Sequence, residues 1–236
     1  MDDRDRWERL LAETASEHSS ACQRICELCV RTLDVTGGGI SVVTATGNRG
    51  VVCATDDVAA RIEDLQFTLG EGPCVDAVAA GSPILIPDLT EFEDIAVERW
   101  PAFLEGAGAA GVMAVFALPM RIGAISVGVM DLYRDRPGDL AADDLSAALL
   151  AADAAALALM HLDPQLEGAF TDDLGARSSY QMQVHQATGM VQVQADVKTE
   201  EAFLLLRARA FSTGRPLIEI AVDVVERRLR FSKEEL

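Results

Sequence analysis

Lysine is almost missing from this chain. Only Lys198 and Lys233 occur among its 236 residues. Residues 1–197 therefore hold no lysine for a G-x-x-x-x-G-K-[ST] phosphate loop, a Schiff base or the acidic pocket of a phospho-receiver domain. Histidine is as scarce. His18, His161 and His185 lie far apart and give no metal-ligand spacing. No Ser-His-Asp or Cys-His constellation can be assembled, so no catalytic residue, no metal and no cofactor is expected, and the chain reads as something other than an enzyme. Long apolar runs are also lacking. The longest, 107–119 and 145–160, fall short of the ~20 residues of a spanning helix, and Asp153 interrupts the second. The opening MDDRDRWERL is charged and has no apolar stretch, so no secretory signal is expected. The expectation is a cytoplasmic protein without a membrane partner. Five cysteines are an odd number, which fits reduced thiols better than a disulfide framework.

Half of the residues are hydrophobic, enough to bury a core. The length suits one domain of moderate size and one small one. Residues 5–34 read as a helix ended by Thr36-Gly37-Gly38-Gly39. Runs at 40–46 and 51–54 read as a hairpin with its turn at Gly47-Asn48. A helix over 56–65 is followed by the break Gly70-Glu71-Gly72-Pro73. Pro73 then starts a short helix to residue 80, 83–86 is a brief strand, and a polar helical stretch runs to about 103. The apolar runs 111–118 and 124–133 form a central hairpin around 119–123. Five strands between helices predict an α+β domain with an antiparallel sheet.

After residue 138 the texture becomes helical. Over 139–162, Leu145, Leu149, Ala152, Ala156 and Leu159 make a heptad-like seam, a candidate coiled coil within a connector over 139–180. Helices follow at 178–194, 200–213 and 216–230. Thr199 is the expected N-cap of the middle one, Gly214 its C′ residue, and Pro216 starts the last.

The formal net charge is -18, from 20 basic and 38 acidic residues. For the whole chain this argues against a nucleic-acid partner, but the charge is unevenly spread. Residues 1–176 carry 11 Arg and 30 acids, whereas 177–236 carry 9 basic and 8 acidic residues. Arg207, Arg209, Arg215, Arg227, Arg228 and Arg230 face only Glu219, Asp223 and Glu226 within 205–230. Arginine forks suit phosphates and stack on bases. The competing reading is a solvated helix face with intrahelical ion pairs.

The run His185-Gln186-Ala187-Thr188-Gly189-Met190-Val191, then Glu201-Ala202, Leu206-Arg207-Ala208-Arg209-Ala210-Phe211-Ser212-Thr213-Gly214-Arg215-Pro216-Leu217 and Ile220-Ala221-Val222-Asp223-Val224-Val225 resembles an ANTAR domain. That family comprises three-helix RNA-binding modules of bacterial antiterminators. Residues 15–162, with Gly70-Glu71-Gly72-Pro73-Cys74 and 83–88, resemble a GAF domain. The resemblance implies a GAF sensor at 15–162 controlling an all-α ANTAR module at 177–236. It also implies hairpins in a nascent transcript as the RNA partner, antitermination as the outcome, and a homodimer. Candidate RNA contacts are Arg207, Arg209, Arg215, Arg227 and Arg228, with small Ala187 and Gly189 giving room for a base or for close helix packing.

Within the first domain, Cys74 is a redox candidate because it follows Gly-Glu-Gly-Pro at a helix N-terminus, and Gly72 would let backbone approach an unknown small ligand. Cys22, Cys26 and Cys29 have the spacing of a radical iron–sulfur motif, but on a helix they share one face and read as core. Asn48-Arg49 stands where cyclic-nucleotide-binding GAF domains carry Asn-Lys, so that ligand is not expected. Two rival readings stay open. One is a DNA-binding regulator, from the helix–turn–helix outline at 212–215. The other is a protein-interaction module that binds no nucleic acid.

Overall fold

The computed structural model describes residues 7, 21–43, 49–91, 99–160 and 175–232. The chain divides into two compact units, Met1–Pro164 and Gln165–Leu236. In the first unit, α1 is Ala21–Thr32, β1 Gly37–Val43, β2 Arg49–Ala54, α2 Asp57–Leu69, α3 Pro73–Ala80 and β3 Ile84–Ile86. Then come α4 at Pro101–Ala109, β4 at Ala114–Ile122, β5 at Ile125–Arg134 and α5 at Ala142–Met160. The expected turn at Gly47-Asn48, the stretches of the first helix over 5–6 and 8–20, residues 92–98 of the polar helical stretch and 161–174 of the connector lie outside the described residues.

The five strands form one antiparallel sheet in the order β2-β1-β5-β4-β3. Side chains alternate across it with the period of two that strands impose. Ile40, Phe116, Leu118, Met130 and Leu132 pack with α1 and α5. Val115 and Tyr133 pack with α2 and α4, while Ala117 and Val129 pack with Cys74 and Ala77 of α3. The sheet is thus covered on both faces, and burial of each large apolar side chain contributes about 1.5–3 kcal/mol. The α+β class with an antiparallel sheet flanked by helices is the fold observed.

Three local expectations shift. The strands of the central hairpin are shifted from 111–118 and 124–133 to 114–122 and 125–134, because Pro119 stays in β4 and the turn is confined to 123–124. The glycine run read as a helix stop is instead the start of β1. Gly37, Gly38 and Gly39 pair with Tyr133, Leu132 and Asp131 of β5. A Cβ at Gly39 would come within 3.0 Å of Glu63 Oε1, so only a bare backbone lets α2 lie this close. In α5, Ala152 and Ala156 of the expected seam are buried in the unit's own core, with Leu149 and Leu157 exposed.

The second unit holds α6 at Gly175–Ala195, α7 at Thr199–Thr213 and α8 at Leu217–Val225. Its buried side chains include Val184, Ala187, Val191 and Ala195 from α6, Ala202, Leu206 and Ala210 from α7, and Leu217, Ile220, Ala221 and Val224 from α8. Gly214 ends α7 with φ 62, as its position predicts. Lys198 rather than Thr199 is the N-cap, and its N–H donates to Glu201 Oε2 at 3.2 Å. The last helix stops at Val225, five residues before the expected end. Arg227 adopts φ 63, and the N–H groups of Arg228 and Leu229 donate to Asp223 O. That turn sends the chain back so that Phe231 is buried, with its N–H donating to Gln194 Oε1 at 2.9 Å.

Candidate functional site

The Gly70–Cys74 corner is fastened by side chains from three elements. Glu71 Oε1 accepts from the N–H groups of Ala102 and Phe103 at 2.8 and 2.9 Å. These are orphan donors of the first turn of α4, where the helix dipole also favours a carboxylate. Three residues into α3, Asp76 accepts from the Trp100 indole at 3.1 Å and from Arg99. Gly72 has φ 127, and Gln66 of α2 occupies the space where a Cβ would stand. The Gln66 carbonyl accepts from Cys74 N–H at 2.8 Å, and its amide donates to Asp131 Oδ2 at 3.4 Å.

A buried polar row therefore runs from this corner to the middle of the sheet. Gln66, Asp131, Glu63 and Ser41 are all almost fully buried, and Ser41 donates to Glu63. Gly39, Ala59, Ile62, Glu63, Val115, Asp131, Leu132 and Tyr133 line a narrow recess between α2 and the sheet. Burying carboxylates is costly and is offset only by hydrogen bonds, so such a row is a specific feature and not filler. Sequence reasoning missed these residues. Asp131 was findable as a lone charge inside an apolar run, and Glu63 and Gln66 as polar positions three apart on the same helical face as Ile62.

All five cysteines are free and buried. Cys22, Cys26 and Cys29 face the core, as the helical spacing predicts, and Cys53 of β2 joins them with its Sγ 3.7 Å from Cys26 Sγ. Burial pushes the Cys22 and Cys29 thiols up to about 12. The hydrogen bond with Cys53 and burial push Cys26 up as well. Cys74 is the second residue of α3 and 1% exposed. The thiolate is the reactive form, so native protein at neutral pH should react with an aromatic disulfide reagent at least ~100-fold more slowly than denatured protein. A thiol that titrates natively at the free-cysteine rate would overturn this, and if it is Cys74 would support the redox reading.

In the second unit the arginines are sorted by their partners. Asp223 accepts from Arg215 at 2.8 Å and Arg228 at 2.7 Å, and these bonds hold its carboxyl below the ordinary range. Arg215 also reaches Glu219 at 3.1 Å, and Arg228 pairs with Glu226. All three acids of 205–230 are thus engaged by two of its six arginines. The Arg207 guanidinium sits 5.7 Å from the Phe203 ring centroid and that of Arg209 5.6 Å from Phe231, on different sides of α7. Arg227 is exposed in the turn after α8. Ala187 is fully buried and packs between helices, whereas Gly189 is exposed with open space where a Cβ would be. Among the described residues no group of three His, Cys, Asp or Glu could hold a metal, and no helix is long and apolar enough to cross a membrane.

Residues 15–160 match the family model described as GAF domain. No curated protein matches the sequence. Solved structures similar to it include the GAF domain of an Acinetobacter phosphoenolpyruvate-protein phosphotransferase, 11% identical, TM-score 0.52, covering 68% of this chain and 95% of that one. The corresponding GAF domain from Coxiella burnetii is 12% identical with TM-score 0.52, covering 70% and 95%. A GAF domain/HD domain protein from Geobacter sulfurreducens is 12% identical with TM-score 0.50, covering 64% and 97%. At these identities the likeness is one of fold.

Proposed function

Because the chain belongs to the GAF domain family through residues 15–160, we propose that it is a regulator in which this sensor domain controls RNA binding by the C-terminal helices. The GAF unit supports sensing of a signal such as an unidentified small ligand. The resemblance of 185–225 to ANTAR modules supports hairpins in a nascent transcript as the target, antitermination as the output and a homodimer as the working form.

One observation carries the RNA reading. The three acids of 205–230 are taken up by Arg215 and Arg228, and Arg209, Arg227 and Arg230 stand outside those pairs. Ion pairs as exposed as those of Arg215 and Arg228 contribute little and can be exchanged for phosphates. Arg209 and Arg227 are thus the principal contacts, with Arg207, Arg215 and Arg228 as further contacts.

The test is binding of the full chain to a synthetic two-hairpin RNA and to duplex DNA across a salt series. Arg207→Ala and Arg209→Ala should each weaken RNA binding about 5- to 20-fold and flatten the salt slope by roughly one contact. Equal affinity for duplex DNA would favour a DNA-binding regulator. Absence of salt-dependent binding to either would leave a protein-interaction module.

A further inference from the structure

The stretch that resembles an ANTAR domain ends at Val225, and the chain then folds back over the helices before it. Two anchors hold this tail. At its start the N–H groups of Arg228 and Leu229 donate to Asp223 O at 2.7 and 3.0 Å, closing the turn around Arg227. At its end Phe231 is 5% exposed, and its N–H donates to Gln194 Oε1 of α6. The tail also bears on charge, because the Arg209 guanidinium of α7 lies 5.6 Å from the Phe231 ring centroid. Glu219, Asp223 and Glu226 are held by Arg215 and Arg228, so a ring and not one of these carboxylates orients the Arg209 head. Arg207 differs, since its ring, Phe203, stands one turn earlier on the same helix.

We infer that Phe231 is a positioning residue for RNA binding, which acts by holding Arg209 in place and does not itself touch RNA. The inference rests on the RNA reading above and adds to it a residue outside the ANTAR-like stretch. A carboxylate partner occupies the N–H fork that a phosphate needs, whereas a ring attracts the cation through its quadrupole and leaves the fork open. An arginine already placed loses less side-chain freedom on binding, which for one long side chain is worth about 3- to 10-fold in affinity. The anchors at Asp223 and Gln194 fix the ring, so the order of the tail passes to a cation on another helix.

The experiment is a double-mutant cycle on the full chain with the two-hairpin RNA, using Phe231→Leu, Arg209→Ala and the pair. Phe231→Leu keeps an apolar side chain in the core but removes the ring. It should weaken RNA binding about 3- to 10-fold in the wild-type background. In the Arg209→Ala background it should change binding by less than ~2-fold, because the residue it acts through is gone. Phe231→Tyr, which restores a ring, should recover most of the loss. In NMR spectra of the RNA-free protein, the Arg209 Nε–Hε signal (identified by its loss in Arg209→Ala) should be displaced by the ring current in wild type and Phe231→Tyr, and not in Phe231→Leu. Equal RNA binding by Phe231→Leu and wild type would overturn the inference. So would a Phe231→Leu loss that persists undiminished in the Arg209→Ala background, which would mean that the ring serves the fold alone. Absence of RNA binding by a wild-type protein of normal helicity would sink the RNA reading, and this inference with it.

Discussion

Replacing Arg134 with Met is expected to lower the melting temperature of the GAF unit by about 6–12 °C, as a loss of ~3 kcal/mol would do in a domain of this size. Arg134 is 3% exposed at the end of β5. Its guanidinium donates to the carbonyl oxygens of Gly138 at 3.0 Å and Asp139 at 3.1 Å and to Asp34 O. It also lies 3.3 Å from the Asp34 carboxylate and 5.4 Å from the Phe116 ring centroid. One planar cation thus ties the loop after α1 to the loop that launches α5, and stacks on the core between them. Met would keep much of the stem packing but leave three carbonyls without their charged donor, at about 1–3 kcal/mol for those that stay buried. Lys should recover only part of the loss, because a compact ammonium cannot fork toward three acceptors. Arg136→Ala removes a half-exposed pair with the same Asp34 and should cost less than ~0.5 kcal/mol. Circular dichroism melts of the three variants check the order. An Arg134→Met midpoint within a degree or two of wild type would refute it.

Arg134 also marks what could be read ahead of the structure. The strand pattern around it was legible, because alternation and turn residues are local signals, and the antiparallel sheet with flanking helices followed from them. Its partners were not. Gly138 and Asp139 are only four and five residues on, but Asp34 meets it through the pairing of β1 with β5, which brings the loop after α1 beside the end of β5. The same holds for the recess. Beside it, Ser41, Glu63, Gln66 and Asp131 come from β1, α2 and β5, and although Glu63 and Gln66 share a helical spacing, nothing along the chain links the three elements. The helical unit was read more closely, since Gly214, Pro216 and the apolar faces act within one or two turns. Its last helix was overextended because Arg227 takes φ 63, a conformation for which an arginine side chain gives no cue.

The second large effect concerns the corner that joins this recess to α3. Gly72→Ala should destabilise the GAF unit by about 3 kcal/mol, from two sources. A non-glycine residue at φ 127 costs about 1–3 kcal/mol in backbone strain. The new methyl would also stand 2.6 Å from Gln66 Oε1 and 2.8 Å from its Cγ. Gln66 is fully buried and cannot swing into solvent, so it must leave Cys74 N–H and the Asp131 carboxylate. The two sources separate in a double-mutant cycle. Gln66→Ala alone removes both hydrogen bonds and should cost ~2 kcal/mol, while Gly72→Ala added to it pays only the backbone strain, so the pair should fall short of additivity by ~1 kcal/mol or more. Urea denaturation of the four proteins measures this directly. Strict additivity would mean that the methyl and Gln66 do not meet. A Gly72→Ala protein within ~0.5 kcal/mol of wild type would mean that the corner relaxes at no cost, and then the Gly-Glu-Gly-Pro sequence would need a reason other than holding Gln66 against the buried carboxylates.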